Sequence, residues 1–174
     1  MHPGNKIFLI GFMGSGKSTV GRKLASYLRW TFIDLDERIE QKTGMKISDI
    51  FKEKGESWFR KMESELLKSL LTEAETVIST GGGVPCSGNN MNYMHESGLT
   101  IYLKMTPGQL KSRLLRSSKE RPLLKDISKD ELESYIEKKL REREKWYSGA
   151  DITFNRFDAD LSDLFLLVKK WIKV

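Results

Sequence analysis

One eight-residue segment near the N-terminus restricts the fold more than any other part of the chain. Residues 11–18 read Gly-Phe-Met-Gly-Ser-Gly-Lys-Ser and match the phosphate-binding pattern G-x-x-x-x-G-K-[ST] without a gap. A β-branched, apolar run precedes this segment at Lys6–Ile10, and an amphipathic pattern follows it from Lys17. The segment therefore predicts a strand, a glycine-rich loop and a helix, in that order.

Each part of this loop has a chemical reason. Glycines let consecutive backbone N–H groups curl around a phosphate, and the following helix directs its positive dipole end toward the same oxygens. The ammonium of Lys17 can reach a γ-phosphate, and the hydroxyl of Ser18 can bind Mg²⁺. We predict that a nucleoside triphosphate is bound by six consecutive residues, Gly14, Ser15, Gly16, Lys17, Ser18 and Thr19.

The identity of the base is predicted from a motif that the sequence lacks. Guanine-reading switch proteins usually carry N-K-x-D late in the chain. Here the only Asn-Lys pair is Asn5-Lys6, which precedes the loop and is followed by Ile7-Phe8. We therefore expect adenine, with ATP as the co-substrate and Mg²⁺ as the metal.

Short β-branched runs alternate with longer amphipathic segments along the chain, which is typical of an α/β protein. Strands are predicted at 6–10, 31–35, 76–79, 99–104 and 151–154. Helices are predicted at 17–28, 36–43, 47–54, 57–73, 107–115 and 161–172, with a short one before 99. Another runs to about 147 from a capping box, Ser128-Lys129-Asp130-Glu131. Because parallel strands need long connections, we expect one domain, 1–174, with a five-stranded parallel sheet between layers of helices.

Composition excludes several classes of protein. The sequence contains no run of 18 apolar residues, so we expect no membrane span. The N-terminus lacks the apolar region of a secretory signal. The single Cys86 rules out an internal disulfide, and with only His2 and His95 beside it a structural zinc site is not expected. We expect a cytoplasmic enzyme without a membrane partner.

The positive charge of the chain is concentrated in one stretch. Seven Lys and Arg residues lie between Lys104 and Lys125 against one acidic residue, Glu120, and this difference equals the whole net charge of +6. A local basic segment beside a phosphate site fits a small polyanion such as ATP, whereas a broad basic face would fit nucleic acid. We therefore expect no nucleic-acid partner.

Two carboxylates, Asp34 and Asp36, stand two residues apart at the end of the second predicted strand. Alternate residues of a strand point to the same side, so both side chains are expected on one face. We assign Asp34 to Mg²⁺, through water, and Asp36 to an acceptor hydroxyl, which it would hold and polarise. The alternative is that Asp36 caps the next helix, and the two roles of Asp36 are compatible.

Two arginines occupy inward positions on predicted helices. Arg143 continues an apolar stripe of its helix, and Arg60 lies on the flank of another. A guanidinium that faces inward needs an anionic partner, because an unpaired buried charge is costly. A bound anion would be such a partner. A snorkelling side chain or an internal salt bridge is the alternative.

Two other segments are candidates for ligand contact. Gly81-Gly82-Gly83 follows the third strand and permits close approach of backbone to a ligand, although a flexible turn would use the same residues. Arg121 lies in a polar, basic loop at 117–125, which we expect to be mobile. An arginine delivered by a closing loop can neutralise charge on a transferring phosphoryl group, whereas the loop's lysines fit a solvated surface.

Taken in order, these segments resemble the shikimate kinase family. The matching elements are the phosphate loop through Thr19, Phe32-Ile33-Asp34-Leu35-Asp36, Phe59-Arg60-x-x-Glu63, Ser79-Thr80-Gly81-Gly82-Gly83, Arg121-Pro122-Leu123-Leu124, and Arg143 four residues before Tyr147. Many kinases share the phosphate loop, but the other elements in this order are much more specific. The resemblance spans residues 11–147.

The resemblance implies a sheet order of 2-3-1-4-5, a substrate-binding helical region at about 36–62 and a lid at about 116–128. It implies that Ser18 and Asp34 hold Mg²⁺ and that Arg156, after the last strand, lies against adenine. Shikimate would be bound by six residues, with the two arginines on its carboxylate: Asp36, Arg60, Gly81, Gly82, Gly83 and Arg143.

The implied reaction is in-line transfer of the γ-phosphoryl group of ATP to the 3-hydroxyl of shikimate, in aromatic amino-acid biosynthesis. Lys17 and Arg121 would stabilise the phosphoryl group, and Asp36 would orient the hydroxyl. The alternatives are a kinase for gluconate or another small hydroxy acid, a nucleoside monophosphate kinase, and a nucleotide-binding module without turnover. We expect a monomer.

Overall fold

The structure, a computed structural model, describes residues 5–118, 121–155 and 160–172. Within these residues, five strands form one sheet: β1 (Lys6–Ile10), β2 (Thr31–Asp34), β3 (Thr76–Ser79), β4 (Leu99–Lys104) and β5 (Ile152–Asn155). All neighbouring strands are parallel, and their order is β2-β3-β1-β4-β5. The predicted fold class and strand order are confirmed.

The register of the central strands brings three strand ends to one edge of the sheet. Leu9 of β1 and Asp34 of β2 both pair with Ser79 of β3. Beyond this edge β1 continues into the phosphate loop and β3 into the triple glycine. Strands β2 and β3 lie on one side of β1, and strands β4 and β5 lie on the other. The strand order therefore reverses at β1, and open α/β sheets bind ligands at such a topological switch point.

Eight α-helices surround the sheet in the described residues. They are α1 (Lys17–Leu28), α2 (Leu35–Thr43), α3 (Ile47–Glu53), α4 (Glu56–Ser69), α5 (Asn90–Ser97), α6 (Pro107–Arg116), α7 (Leu132–Tyr147) and α8 (Leu161–Ile172). Short 3₁₀ turns lie at Leu70–Thr72, Val84–Cys86 and Pro122–Leu124. None of the helices in these ranges has the length and apolar composition needed to cross a membrane.

Several helix boundaries differ from the prediction by one residue, and two other differences have local reasons. The last turn of α4 is 3₁₀, so its α-helical part ends at Ser69 rather than at residue 73. The predicted capping box does form, because Ser128 and Glu131 each accept the other's backbone N–H at 3.3 Å. Regular α7 nevertheless begins only at Leu132, one residue after the box.

The alternation of side chains along β1 divides the core between the two faces of the sheet. Phe8 and Ile10 pack into a cluster with residues of α2, α3, α4, α5 and α7, whereas Ile7 and Leu9 pack with residues of α1 and α8. All four side chains are fully buried, as expected for a strand covered on both faces. A third cluster, around Phe12, packs the phosphate loop against α6 and α7.

Candidate active site

Two adjoining cavities lie at the carboxyl edge of the sheet. The larger, about 550 Å³, is lined by the phosphate loop, the end of β2, the start of the triple glycine and three arginines. The smaller, about 70 Å³, lies between α3, α4, α7 and the turn at Pro122–Leu124. Five residues line both cavities, namely Met13, Asp36, Gly81, Gly82 and Arg121. A group held at this junction is in reach of both spaces.

The phosphate loop has the backbone that its sequence predicts. Gly14 and Gly16 have φ angles of 81° and 92°, which side chains other than glycine rarely adopt. The Lys17 ammonium donates to the carbonyls of Gly11 and Phe12 at 2.8 and 2.9 Å, and its burial lowers the pKa of Lys17 to about 8. The hydroxyl of Ser15 is buried without a hydrogen-bond partner. An unpaired donor inside a ring of amides fits a phosphate oxygen.

The larger cavity contains oxygen ligands suited to magnesium. Ser18 Oγ donates to Asp34 Oδ2 at 2.5 Å, and Ser79 Oγ lies 3.4 Å from Ser18 Oγ. Mg²⁺ prefers such hard oxygen ligands. Among the described residues, no group of three or more His, Cys, Asp or Glu could hold a metal by itself. These residues therefore fit a Mg²⁺ ion that takes part of its coordination from a ligand other than the protein.

The two aspartates are arranged differently from the prediction. β2 ends at Asp34, whose Oδ1 accepts the backbone N–H groups of Asp36 and Glu37 at 3.1 and 3.4 Å. Asp34 is thus the cap of α2, so the alternative role of helix cap predicted for Asp36 was wrong. Asp36 lies in the first turn of α2, where strand alternation no longer applies. Both side chains still line the larger cavity, because the cap turns the chain immediately after the sheet edge.

A buried ion pair lies at the wall of the smaller cavity. Arg60 Nη1 donates to Glu63 Oε2 at 2.7 Å, and Arg60 Nη2 lies 3.0 Å from Glu56 Oε1. Glu63 is fully buried, and this burial raises the pKa of its carboxyl to about 7 despite the opposing effect of Arg60. Its Oε1 has no hydrogen-bond partner. The internal salt bridge considered for Arg60 is present, and Arg60 also lines the cavity.

Arg143 reaches the same cavity from α7. Its Nη1 donates to the carbonyl of Gly82 at 3.3 Å, and its guanidinium lies 5.4 Å from the ring centroid of Phe12. Ion pairs found in residues 5–118, 121–155 and 160–172 do not include Arg143. The two arginines therefore converge on one space, and the guanidinium of Arg143 is available there for an anion.

The triple glycine is required by the side chains packed around it. A Cβ atom on Gly81 would lie 2.2 Å from Glu63 Oε1, and one on Gly83 would lie 2.5 Å from Arg60 Nη1. A Cβ atom on Gly82 would lie 3.3 Å from both Arg143 Nη1 and the carbonyl oxygen of Gly11. Only a segment without side chains allows the ion pair of α4 to approach β3 so closely.

The remaining predicted residues fall into three groups. Thr19 lines the larger cavity; Arg113 and Arg116 of α6 line it too, although neither was predicted as a site residue. Arg121 lies at the junction of the two cavities, and its buried Nε has no hydrogen-bond partner. Arg156, predicted to lie against adenine, is outside the described residues.

Three residues of this region received no role from the sequence. Glu63 was part of a motif, but its burial depends on Gly81, eighteen residues away. Arg113 was one of several arginines in a basic stretch, yet its Nε donates to the carbonyl of Gly14 at 2.7 Å. Tyr147 marked the end of a motif, and its hydroxyl donates to Gly82 O at 2.6 Å. The i, i+3 spacing of Arg60 and Glu63 is the one local signal of these contacts.

Comparison with known proteins agrees with this geometry. A family model described as shikimate kinase matches residues 13–171. A shikimate kinase from Parabacteroides distasonis is 43% identical over 150 residues, which cover 86% of this chain and 87% of that protein. The crystal structure of a shikimate kinase from Bacteroides thetaiotaomicron matches with a TM-score of 0.87 and 34% identity, over 97% of this chain and 98% of that one. A shikimate kinase from Acinetobacter baumannii, in complex with shikimate, matches with a TM-score of 0.87 and 33% identity, over 98% and 94% of the two chains. The chain belongs to the shikimate kinase family.

Proposed function

We propose that this chain transfers the γ-phosphoryl group of ATP to the 3-hydroxyl of shikimate, giving shikimate 3-phosphate and ADP. The observation that carries the proposal is that Asp36 and Arg121 line both cavities, at the one place where they meet. A phosphoryl group that moves from the larger cavity to the smaller therefore passes a region lined by a carboxylate and a guanidinium.

On the acceptor side, the two arginines select a carboxylate. Arg60 and Arg143 come from different helices to one small cavity, and planar guanidiniums suit bidentate contact with a planar carboxylate. Asp36 then orients the acceptor hydroxyl toward the phosphate loop. Gly81, Gly82 and Gly83 let the substrate ring approach the backbone closely.

On the donor side, the loop amides and Ser15 hold the phosphates, and Lys17 exchanges backbone carbonyls for phosphate oxygens. Ser18 and Asp34 would hold Mg²⁺, which would supply positive charge to neutralise the phosphates. The hydroxyl oxygen forms a bond to the γ-phosphorus as the bond to the ADP oxygen breaks. The hydroxyl proton leaves to Asp36 or to water, and orientation by Asp36 matters more than proton removal in a loose transition state.

Residues 116–128 act as a lid, and residues 36–62 as the substrate-binding region. The turn Pro122–Leu124 contacts α3, and Phe51 and Leu123 both line the smaller cavity, so that closure of the lid here would enclose it. Such enclosure excludes water, which would otherwise accept the phosphoryl group. The protein works as a cytoplasmic monomer with ATP and shikimate as its small-molecule partners.

One assay tests the proposal against its alternatives. ADP release is measured with shikimate, gluconate and a nucleoside monophosphate side by side, at equal Mg·ATP. Release that depends on shikimate is the expected result, and release that responds to another acceptor instead would assign a different kinase. ATP binding without acceptor-dependent release, together with RNA affinity that falls steeply with salt, would indicate a nucleotide-binding module.

A further inference from the structure

Both arginine-bearing helices contact the same short segment after β3. α4 carries Arg60, α7 carries Arg143, and each helix contacts the 3₁₀ turn Val84–Cys86. Just before this turn, Gly82 lies beside Arg143 and Gly83 beside Arg60, so one segment, residues 81–84, borders both guanidiniums. The distance between them depends on how each helix is attached to this segment.

The attachment of α7 is a buried tyrosine. Tyr147 is fully buried, one helical turn after Arg143, and its hydroxyl donates to the carbonyl of Gly82 at 2.6 Å. The same hydroxyl lies 3.5 Å from Arg143 Nη1, which also donates to Gly82 O. This carbonyl therefore accepts from both side chains, and the bond from Tyr147 is the shorter one. Tyr147 thereby keeps the guanidinium of Arg143 beside Gly82, at the wall of the smaller cavity.

The attachment of α4 is a buried asparagine. Asn90, at the start of α5, is 1% exposed, and its amide donates to the carbonyl of Val84 at 3.0 Å and to Ser64 Oγ at 2.9 Å. Ser64 follows Glu63 and lies one turn after Arg60 on α4. The amide thereby connects the helix of the ion pair to the far end of the same segment.

We propose that Tyr147 and Asn90 are positioning residues that set the separation of Arg143 and Arg60 for the carboxylate of the acceptor. The inference rests on the proposed function, because it concerns the affinity for shikimate. A bidentate contact with two guanidiniums tolerates little displacement, and groups on separate helices hold their geometry only if their supports are rigid. Tyr147 and Asn90 lie outside the described lining of both cavities, so they act through the arginines.

Two conservative variants test the two attachments. Tyr147→Phe keeps the buried ring and removes the hydroxyl, and Ser64→Ala removes one acceptor of Asn90 while favouring the helix. We expect each to raise the KM for shikimate about three- to ten-fold, the effect of one lost hydrogen bond, with the KM for ATP within about two-fold of the unaltered chain. Tyr102→Phe, whose ring lies 5.0 Å from that of Tyr147, and Ser69→Ala, on the same helix as Ser64, are the matched controls and should change neither KM.

A coupling experiment separates positioning from a general structural role. In an Arg143→Ala background, Tyr147→Phe should change the KM for shikimate by less than about two-fold, because the group that it positions is gone. Equal rises in both KM values, or an undiminished effect in the Arg143→Ala background, would overturn the inference. An unaltered chain without shikimate-dependent ADP release would instead overturn the proposed function. If the unaltered chain shows shikimate-dependent ADP release but Tyr147→Phe leaves the KM for shikimate unchanged, only the inference is overturned.

Discussion

Ser18, at the start of α1, donates a hydrogen bond of 2.5 Å to Oδ2 of Asp34, the last residue of β2. The other carboxylate oxygen of Asp34 caps α2. One side chain therefore connects the phosphate loop to the element that carries Asp36. The same carboxylate is bonded to the hydroxyl that we propose as a ligand of magnesium.

Asp34→Asn should separate the two roles of this side chain. An amide oxygen can still cap α2, but the negative charge near the metal is lost. We expect the Mg²⁺ concentration for half-maximal activity to rise about ten-fold or more. Asp34→Ala, which loses the cap as well, should unfold at a lower temperature, at a cost of about 1 kcal/mol relative to Asp34→Asn. An unchanged magnesium requirement in Asp34→Asn would exclude Asp34 from the metal site.

The low pKa of Lys17 predicts an alkaline limit to activity. Burial lowers this pKa to about 8, and the protonated ammonium is the form that binds phosphate. kcat/KM for ATP should therefore decline as the pH rises through about 8, whereas kcat should decline at higher pH because bound phosphates favour the charged form. In Lys17→Arg the guanidinium stays charged, so this alkaline decline should disappear even if activity is low. Persistence of the same decline would assign it to another group.

Arg143→Ala should weaken binding of the acceptor and leave the nucleotide site intact. Hydrogen bonds to charged groups contribute about 1.5–3 kcal/mol, so the KM for shikimate should rise roughly ten- to hundred-fold. The KM for ATP should stay near normal. Arg141→Ala is the matched control, because Arg141 lies on the same helix with a largely exposed side chain paired to Glu137. An unchanged KM for shikimate would refute the proposed carboxylate contact.

Gly81→Ala should disturb the acceptor site through Glu63. The added Cβ would lie 2.2 Å from Glu63 Oε1, so the buried carboxylate and Arg60 must move. Overpacking of this kind costs about 1–3 kcal/mol, and we expect it as lower stability together with a higher KM for shikimate. Gly108→Ala is the control, since its Cβ would meet only Glu133 Oε1 at an ordinary 3.4 Å. Wild-type behaviour of Gly81→Ala would show that the two groups are not packed this tightly.

Glu63 should make the stability of the protein depend on pH. Burial raises its pKa to about 7, above the ordinary value of 4.5, so the folded state binds more protons than the unfolded state between these values. The contribution of Glu63 to stability is fully present below pH 4.5 and is lost as the pH rises through about 7. Comparing chemical unfolding of the unaltered chain with that of Glu63→Gln from pH 4.5 to 8 isolates this contribution. A difference in unfolding free energy that does not change over this range would contradict it.

The nucleotide half of the site could be predicted because its chemistry is local. The phosphate loop needs glycines with positive φ, a lysine and a hydroxyl within eight consecutive residues, and the flanking strand and helix are visible as changes of hydrophobic period. Asp34 and Asp36 were likewise identified by their place after a strand. Capping of α2 was considered only for Asp36, as an alternative role, whereas Asp34 is the cap. The strand β2 ends one residue earlier than predicted, and this decides which carboxylate faces the free N–H groups.

The sequence by itself determined the class of fold, the phosphate loop and the residue types that a small acidic acceptor requires. Tertiary structure alone decided which of those residues meet. Glu63 becomes buried because Gly81 allows α4 to approach β3, and Arg143 is directed by a tyrosine bonded to Gly82, sixty-five residues away along the chain. The physical reason is that hydrophobic period and turn chemistry act over a few residues, whereas burial and the alignment of hydrogen bonds depend on packing between elements distant in sequence.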